Sequence, residues 1–271
     1  MGAKRIKFDL FPEGLRKAVV FSFDDGRVHD RRLVDIMNDC GLRGTFHLNS
    51  GVFGKEGYIE KSEVAELFKG HEVSAHSVTH PFLQQTPNEL IIKEMIEDRA
   101  ALEELTGQVV RGMSYPFGTY DDRVVAMLPG LGIEYARTVN SHGGFHMPED
   151  LLRWHPTCHH KEMAEKTEAF LSSTPYFSYM ELLFIWGHSY EFQDDDNWEL
   201  MEETGKRLGS RKDAPPVWHA TMSEIAAYRK GLAELRFGAN GSLVHNPSAL
   251  ELWISVDGEA VKIGSGQTLK L

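Results

Sequence analysis

Residues 19–26 read Val-Val-Phe-Ser-Phe-Asp-Asp-Gly, an apolar run that ends in two adjacent carboxylates. Further along, the stretch HEVSAHSVTHP places His76 and His80 on H-x-x-x-H spacing. Two imidazoles and one carboxylate make a three-ligand set that leaves a divalent metal one position for water. A second carboxylate outside that set can take the water's proton. The adjacent pair Asp24 and Asp25 would supply both roles, one as ligand and one as base. The plainer alternatives are an Asp-Asp-Gly turn and two surface histidines beside another turn. Thirteen histidines give two further pairs on this spacing, His142/His146 and His155/His159. Chance placement gives on the order of one such pair, so spacing alone does not choose among them. Gly143 and Gly144 make the first of these a flexible loop. RWHPTCHH, with His155, Cys158, His159 and His160, reads as a pocket lining, a surface, or a second metal cluster.

Choosing requires the elements that position these residues. Apolar runs at 18–23, 44–48, 71–75, 109–114, 134–138 and 181–187 read as strands, with amphipathic helical patterns between them. Val19, Val20, Phe21 and Phe23 suit a strand covered on both faces, as in a parallel sheet. Parallel α/β folds gather their chemistry at the carboxyl ends of strands, which would bring Asp24 and Asp25 to the same rim as His76 and His80. The alternation argues for a sheet closed or nearly closed into a barrel. An open doubly wound sheet is the alternative, although neither G-x-G-x-x-G nor a P-loop occurs. Thr86-Pro87-Asn88-Glu89 reads as a capping box, and Thr221 to Glu224 opens a helix expected to stop at Gly231. After Gly231 apolar and polar residues alternate, and Asp257-Gly258 signals a hairpin. The expected division is a main body over 1–231 and a small antiparallel β-unit over 232–271 packed on it.

The 271 residues are 41% hydrophobic and carry a formal net charge of −11, which argues against a nucleic-acid partner. Two cysteines are too few for a disulfide framework and read as reduced thiols. MGAKRIKFDLFPEG lacks the apolar stretch of a signal peptide. No apolar run approaches the roughly 20 residues that cross a bilayer. The expectation is a cytoplasmic protein without a membrane partner.

Taken together, these residues resemble the polysaccharide deacetylases of carbohydrate esterase family four, the NodB-homology fold. Ser22-Phe23-Asp24-Asp25-Gly26 is similar to that family's first motif, and His76-Ser77-Val78-Thr79-His80 to its second. The resemblance covers about residues 15–230 and implies a distorted (β/α)7 barrel. It implies Asp24 as catalytic base, with Asp25, His76 and His80 as metal ligands. Ser114-Tyr115-Pro116-Phe117-Gly118 departs from the third motif, with Ser114 where the family has an arginine. Arg111, three residues earlier, either orients Asp24 instead or is a plain surface arginine, and the Phe117 N–H is expected to bind the oxyanion. Asp150-Leu151-Leu152-Arg153-Trp154 departs from the fourth motif, with Arg153 replacing an aspartate that supports the catalytic histidine. Trp154 either walls the pocket or is a buried structural tryptophan. Trp186-Gly187-His188 corresponds to the fifth motif, which makes His188 the general acid and puts Trp186 near the acyl methyl.

The resemblance therefore implies a divalent-metal hydrolase, with zinc first and cobalt, manganese or iron as alternatives. Its substrate would be a small N- or O-acetylated sugar, an oligosaccharide or another amide. A cyclic ureide or imide, as in allantoinase-like relatives, is the alternative within the fold. A glycan-binding module without activity is the alternative from another class, prompted by Ser114 and Arg153. Homo-oligomer formation is left open.

Overall fold

The computed structural model describes residues 4–174, 179–209 and 216–271. A short strand, β1 (Ile6–Lys7), precedes the sheet. β2 (Lys17–Asp24), β3 (Gly44–Leu48), β4 (Glu72–Ala75), β5 (Gly112–Ser114), β6 (Tyr135–Arg137), β7 (Cys158–His159) and β8 (Glu181–His188) run parallel in the order β6-β5-β4-β3-β2-β8-β7. A further strand, β9 (Trp218–Ala220), lies beside the start of β2. Trp154 bridges in parallel to Arg137, and Cys158 pairs with Ile185, so residues 154–159 connect the β6 edge back to β8. The sheet thus curls into the expected distorted seven-stranded barrel. Helices α1 (Asp30–Asp39), α2 (Val64–Leu67), α3 (Asn88–Thr106), α4 (Asp122–Met127), α5 (Met163–Ser172), α6 (Ser189–Asp194), α7 (Trp198–Leu208) and α8 (Met222–Glu234) connect and cover it.

The two-residue period of a strand sorts the barrel into an outside and an inside. Val19, Phe21 and Phe23 pack with Leu33, Val34 and Met37 of α1. Ala18 and Val20 pack instead with Leu182, Phe184 and Trp154, which makes an apolar floor inside the barrel. Continuing in that register, Ser22 and then Asp24 face inward at increasing height. Above the floor the interior turns polar, and several of its groups pair with one another. Glu72 accepts from Thr45 Oγ1 at 2.9 Å and from the Ser223 amide at 2.9 Å, while Ser22 Oγ meets His47 Nε2 at 2.9 Å. Gly112 is required here because a Cβ would come within 2.1 Å of the Tyr135 ring.

Two helix-boundary expectations change. The capping box at Thr86 does not form: its hydroxyl donates to the Phe82 carbonyl at 2.9 Å, and α3 starts at Asn88 behind Pro87. Helix α8 does open on the Thr221–Glu224 box, but it runs through Gly231 to Glu234. Gly231 is a packing position, where a Cβ would approach Leu252 at 3.1 Å, and not a stop. Beyond α8, β10 (Arg236–Phe237), β11 (Leu243–His245), β12 (Leu252–Val256), β13 (Glu259–Ile263) and β14 (Thr268–Lys270) form two small antiparallel sheets. The β12–β13 hairpin turns on Asp257 and Gly258, with φ of 53° and 97°. β1 pairs with β12, so the N-terminal segment joins this unit.

Leu252, Ile254 and Ile263 share one buried cluster with Val20 and Phe184, so the appended strands close the barrel below its floor. If barrel and β-unit form one cooperative body, Leu252→Ala should cost about 3 kcal/mol and shift a single urea transition followed by tryptophan fluorescence. Two transitions, with only the smaller one moved, would show the units to be independent.

Candidate active site

Asp24 is the last residue of β2, and Asp25 leaves the strand with φ of 84°. In a continuing strand Asp25 would face away from Asp24; the left-handed step keeps both on the rim. His76 Nε2 lies 3.9 Å from Asp24 Oδ2 and 3.6 Å from Asp25 Oδ1. The chain past β4 turns through left-handed Ser77 and His80, at φ of 66° and 58°, which brings His80 Nε2 to 3.8 Å from Asp25 Oδ1. Each such residue costs of order 1–3 kcal/mol and persists only where its surroundings impose it. The surroundings are specific. Asn49 Nδ2 donates to the carbonyls of His76 and Ser77 at 2.6 and 2.9 Å. The buried Asp98 carboxylate accepts from the amides of Ser50 and His76 at 2.8 and 3.0 Å.

One donor atom each from Asp25, His76 and His80 falls within a 4.8 Å cluster. His76 Nδ1 contacts the Ser114 carbonyl oxygen at 2.9 Å and Ser114 Oγ at 2.7 Å. Because that hydroxyl donates its proton to Asp24 Oδ1 at 3.0 Å, Nδ1 is the protonated nitrogen and Nε2 keeps a free lone pair. A fixed tautomer with two nitrogen donors and one carboxylate suits a single divalent cation.

Asp24 itself is held differently. Its other oxygen, Oδ2, forms a buried ion pair with Arg137 Nη2. Burial pushes the Asp24 carboxyl up, but Arg137 first, and then His76, His47 and His188, outweigh it and hold the group well below the usual carboxylate range. Nearby Asp30 has no such partner; burial raises its carboxyl to about 8, so at neutral pH it adds little like charge. On the neighbouring strand β8, His188 is the register partner of Asp24. Its Nδ1 meets Glu191 Oε2 at 2.9 Å, three residues on at the start of α6. Burial opposes charge on this imidazole, but the Glu191 hydrogen bond and the Asp24 and Asp25 charges raise its pKa above the ordinary value.

Asp24, Asp25, His76, His80 and His188 are thus gathered on one rim. Arg111 is not among them: its guanidinium donates to the Gly132 carbonyl at 3.2 Å and sits 3.9 Å from Glu134 on the surface. Arg137 takes the place expected of it beside Asp24. Trp154 does not wall the pocket either; it is 1% exposed, edge-on to Phe184 in the barrel floor. Arg153, the departure in the fourth motif, pairs outward with Asp150 and Asp122 at 2.7 and 2.6 Å. Trp186 does reach the rim, edge-on to His188 with 5.8 Å between centroids, and Arg137 packs 4.7 Å from its ring. Phe117, at φ of 57°, stacks on Phe82 at 3.9 Å and meets the His80 ring edge-on at 4.3 Å. Sequence reasoning missed Arg137 and Glu191. The available signals were a lone arginine closing an apolar strand and an H-x-x-E spacing at a helix start.

Residues 12–136 match the family model described as polysaccharide deacetylase. A peptidoglycan-N-acetylglucosamine deacetylase of Bacillus cereus is 29% identical over 143 residues, 51% of this chain and 48% of that protein. Chitin deacetylase 1 of Cryptococcus neoformans is 27% identical over 114 residues, 41% of this chain and 23% of that protein. The match therefore spans less than half the length of either relative. A putative polysaccharide deacetylase from Mycobacterium smegmatis shares the fold, with a TM-score of 0.62 over 82% of this chain and 93% of that one at 17% identity.

The two arginines make a direct comparison. Arg137→Met should leave a buried carboxylate unpaired and cost about 3–5 kcal/mol in urea unfolding at pH 7. Arg111→Met should stay within about 0.5 kcal/mol of the parent. Equal effects would mean that Asp24 does not depend on Arg137.

Proposed function

We propose that this chain, a relative of the polysaccharide deacetylases across residues 12–136, is a metal-dependent hydrolase that removes N-acetyl groups from a sugar or oligosaccharide. The observation that carries the reading is the division of labour among the carboxylates. Asp25 clusters with two imidazoles, while Asp24 is committed to Arg137 and Ser114 and faces a histidine held by its own carboxylate.

A divalent cation on Asp25, His76 and His80, with zinc as first candidate, would polarise the amide carbonyl and lower the pKa of a water toward neutrality, the condition under which a carboxylate as weakly basic as Asp24 can take its proton. Asp24 has the charge and position for that step. The Phe117 N–H, on a backbone turned to positive φ, is the proposed donor to the carbonyl oxygen as negative charge builds there. A preorganised donor of this kind is typically worth about 3 kcal/mol. His188 gives a proton to the departing amine, so the products are acetate and a free amino sugar. Glu191 fixes the Nδ1 proton of His188 and leaves Nε2 to deliver the mobile one.

Two further features support the reading. Arg137 and Glu191 supply the partners that Ser114 and Arg153 lack, which weakens the case for a binding module without activity. Phe82 and Phe117 remain 42% and 51% exposed beside His80, an apolar platform against which the C–H face of a pyranose can pack.

Asp24→Asn should cut acetate release from N-acetylated chitooligosaccharides by at least about 100-fold while zinc content stays at the parent level. Unchanged turnover would sink the mechanism. The pH profile tests the acid. His188 must be protonated, and its raised pKa keeps kcat/KM high until pH climbs through it. Glu191→Gln removes that support, so the alkaline limb should move to lower pH; an unmoved limb would remove His188 from its role.

A further inference from the structure

A second histidine cluster stands next to this rim, where β7 ends and α6 begins. His159 Nε2 lies 3.1 Å from Glu191 Oε2, and His160 Nδ1 lies 3.7 Å from the same oxygen. The three donors fall within a 4.8 Å cluster of their own. His160 is 0% exposed, and neither of its ring nitrogens has a hydrogen-bond partner. Orphaned buried polar atoms call for an explanation, and an absent ion is one of the few available. The ring packs against Phe192, with 4.3 Å between centroids. It fits only because residue 187 is glycine: a Cβ there would come within 2.1 Å of His160 Nδ1. Burial lowers the His160 pKa to about 3, so the ring is neutral, the form in which imidazole ligates. One nearby charge opposes a cation. Lys161 Nζ lies 3.7 Å from Glu191 Oε1, but it is half exposed and bound more closely to Asp195 at 2.7 Å, so it can turn to solvent.

We propose that His159, His160 and Glu191 form a second divalent-cation site, of the kind zinc occupies, and that filling it withdraws Glu191 from His188. The donor set of two imidazoles and one carboxylate is chemically the same as that at Asp25, His76 and His80. The cost to His188 follows from geometry, since both clusters of contacts use Glu191 Oε2. Binding at this site stands independently of the hydrolase reading; only its inhibitory consequence rests on that reading.

The test starts from Asp25→Ala/His80→Ala protein stripped with a chelator, which lacks two donors of the first cluster. Dialysed against buffered zinc, it should retain about one zinc per chain by elemental analysis, and its unfolding temperature should rise with zinc. Adding His159→Ala, a partly exposed position, should weaken that binding at least about 10-fold and abolish the temperature rise, with circular dichroism confirming the fold. No zinc bound by the double variant, or binding unchanged by His159→Ala, would overturn the second site. One zinc in the wild type that is lost in the double variant would overturn it while leaving the hydrolase reading intact. One zinc in both would instead support the second site and remove the first. In the wild type, excess zinc should lower acetate release, and His159→Ala should blunt that inhibition.

Discussion

A carboxylate at the inner end of β2 is nine-tenths or more out of water and can stay ionised only if a cation comes to it. Arg137 is that cation, and it is itself fully buried. Each charge would be costly alone, and together they are tolerable because they meet directly and share further partners. Ser114 supplies one of these to Asp24, and the Thr138 carbonyl accepts from Arg137 at 3.2 Å. The pairing constrains the whole barrel, since the two residues lie on strands with three others between them in the sheet order. They can touch only if the sheet curls until its interior narrows to side-chain dimensions, and residues 154–159 close that curl.

The interior is therefore graded. Apolar residues fill the bottom, where Val20, Phe184 and Trp154 meet the appended strands. Polar groups that include Glu72, bonded to Thr45 and Ser223, and His47, bonded to Ser22, occupy the middle, and charged groups the top. The gradient follows the strand period, with each step of two residues along β2 moving from Ala18 through Val20 and Ser22 to Asp24. Little of the rim's chemistry comes from helices; they set its partners, as when α6 brings Glu191 under His188.

Much of this was legible in the sequence because it was local. A run of apolar residues ending in Asp-Asp-Gly, and another ending in His76, declare strands and their carboxyl ends without reference to anything distant. Arg137 was not legible. Its partner is 113 residues away, and a three-residue strand does not reveal which of its faces points inward. Trp154 presents the same apolar bulk whether it lines a pocket or a floor, and only its bridge to Arg137 decides. Gly231 imitates a helix stop, yet its missing side chain serves the approach of Leu252 across the interface. Glu191 was within reach, because a carboxylate three residues after a histidine at a helix start is a local signal.

Among the described residues, four of the seven non-glycine positions with positive φ are Asp25, Ser77, His80 and Phe117. Glycine would adopt these angles without steric cost. Replacing Asp25 or His80 by glycine would therefore relax the backbone while deleting a metal-ligand candidate. At this rim, loss of the donor set and relief of strain lie in the same direction. These side chains are there in spite of folding, and random drift in this part of the chain would run toward a sturdier molecule with an emptier site.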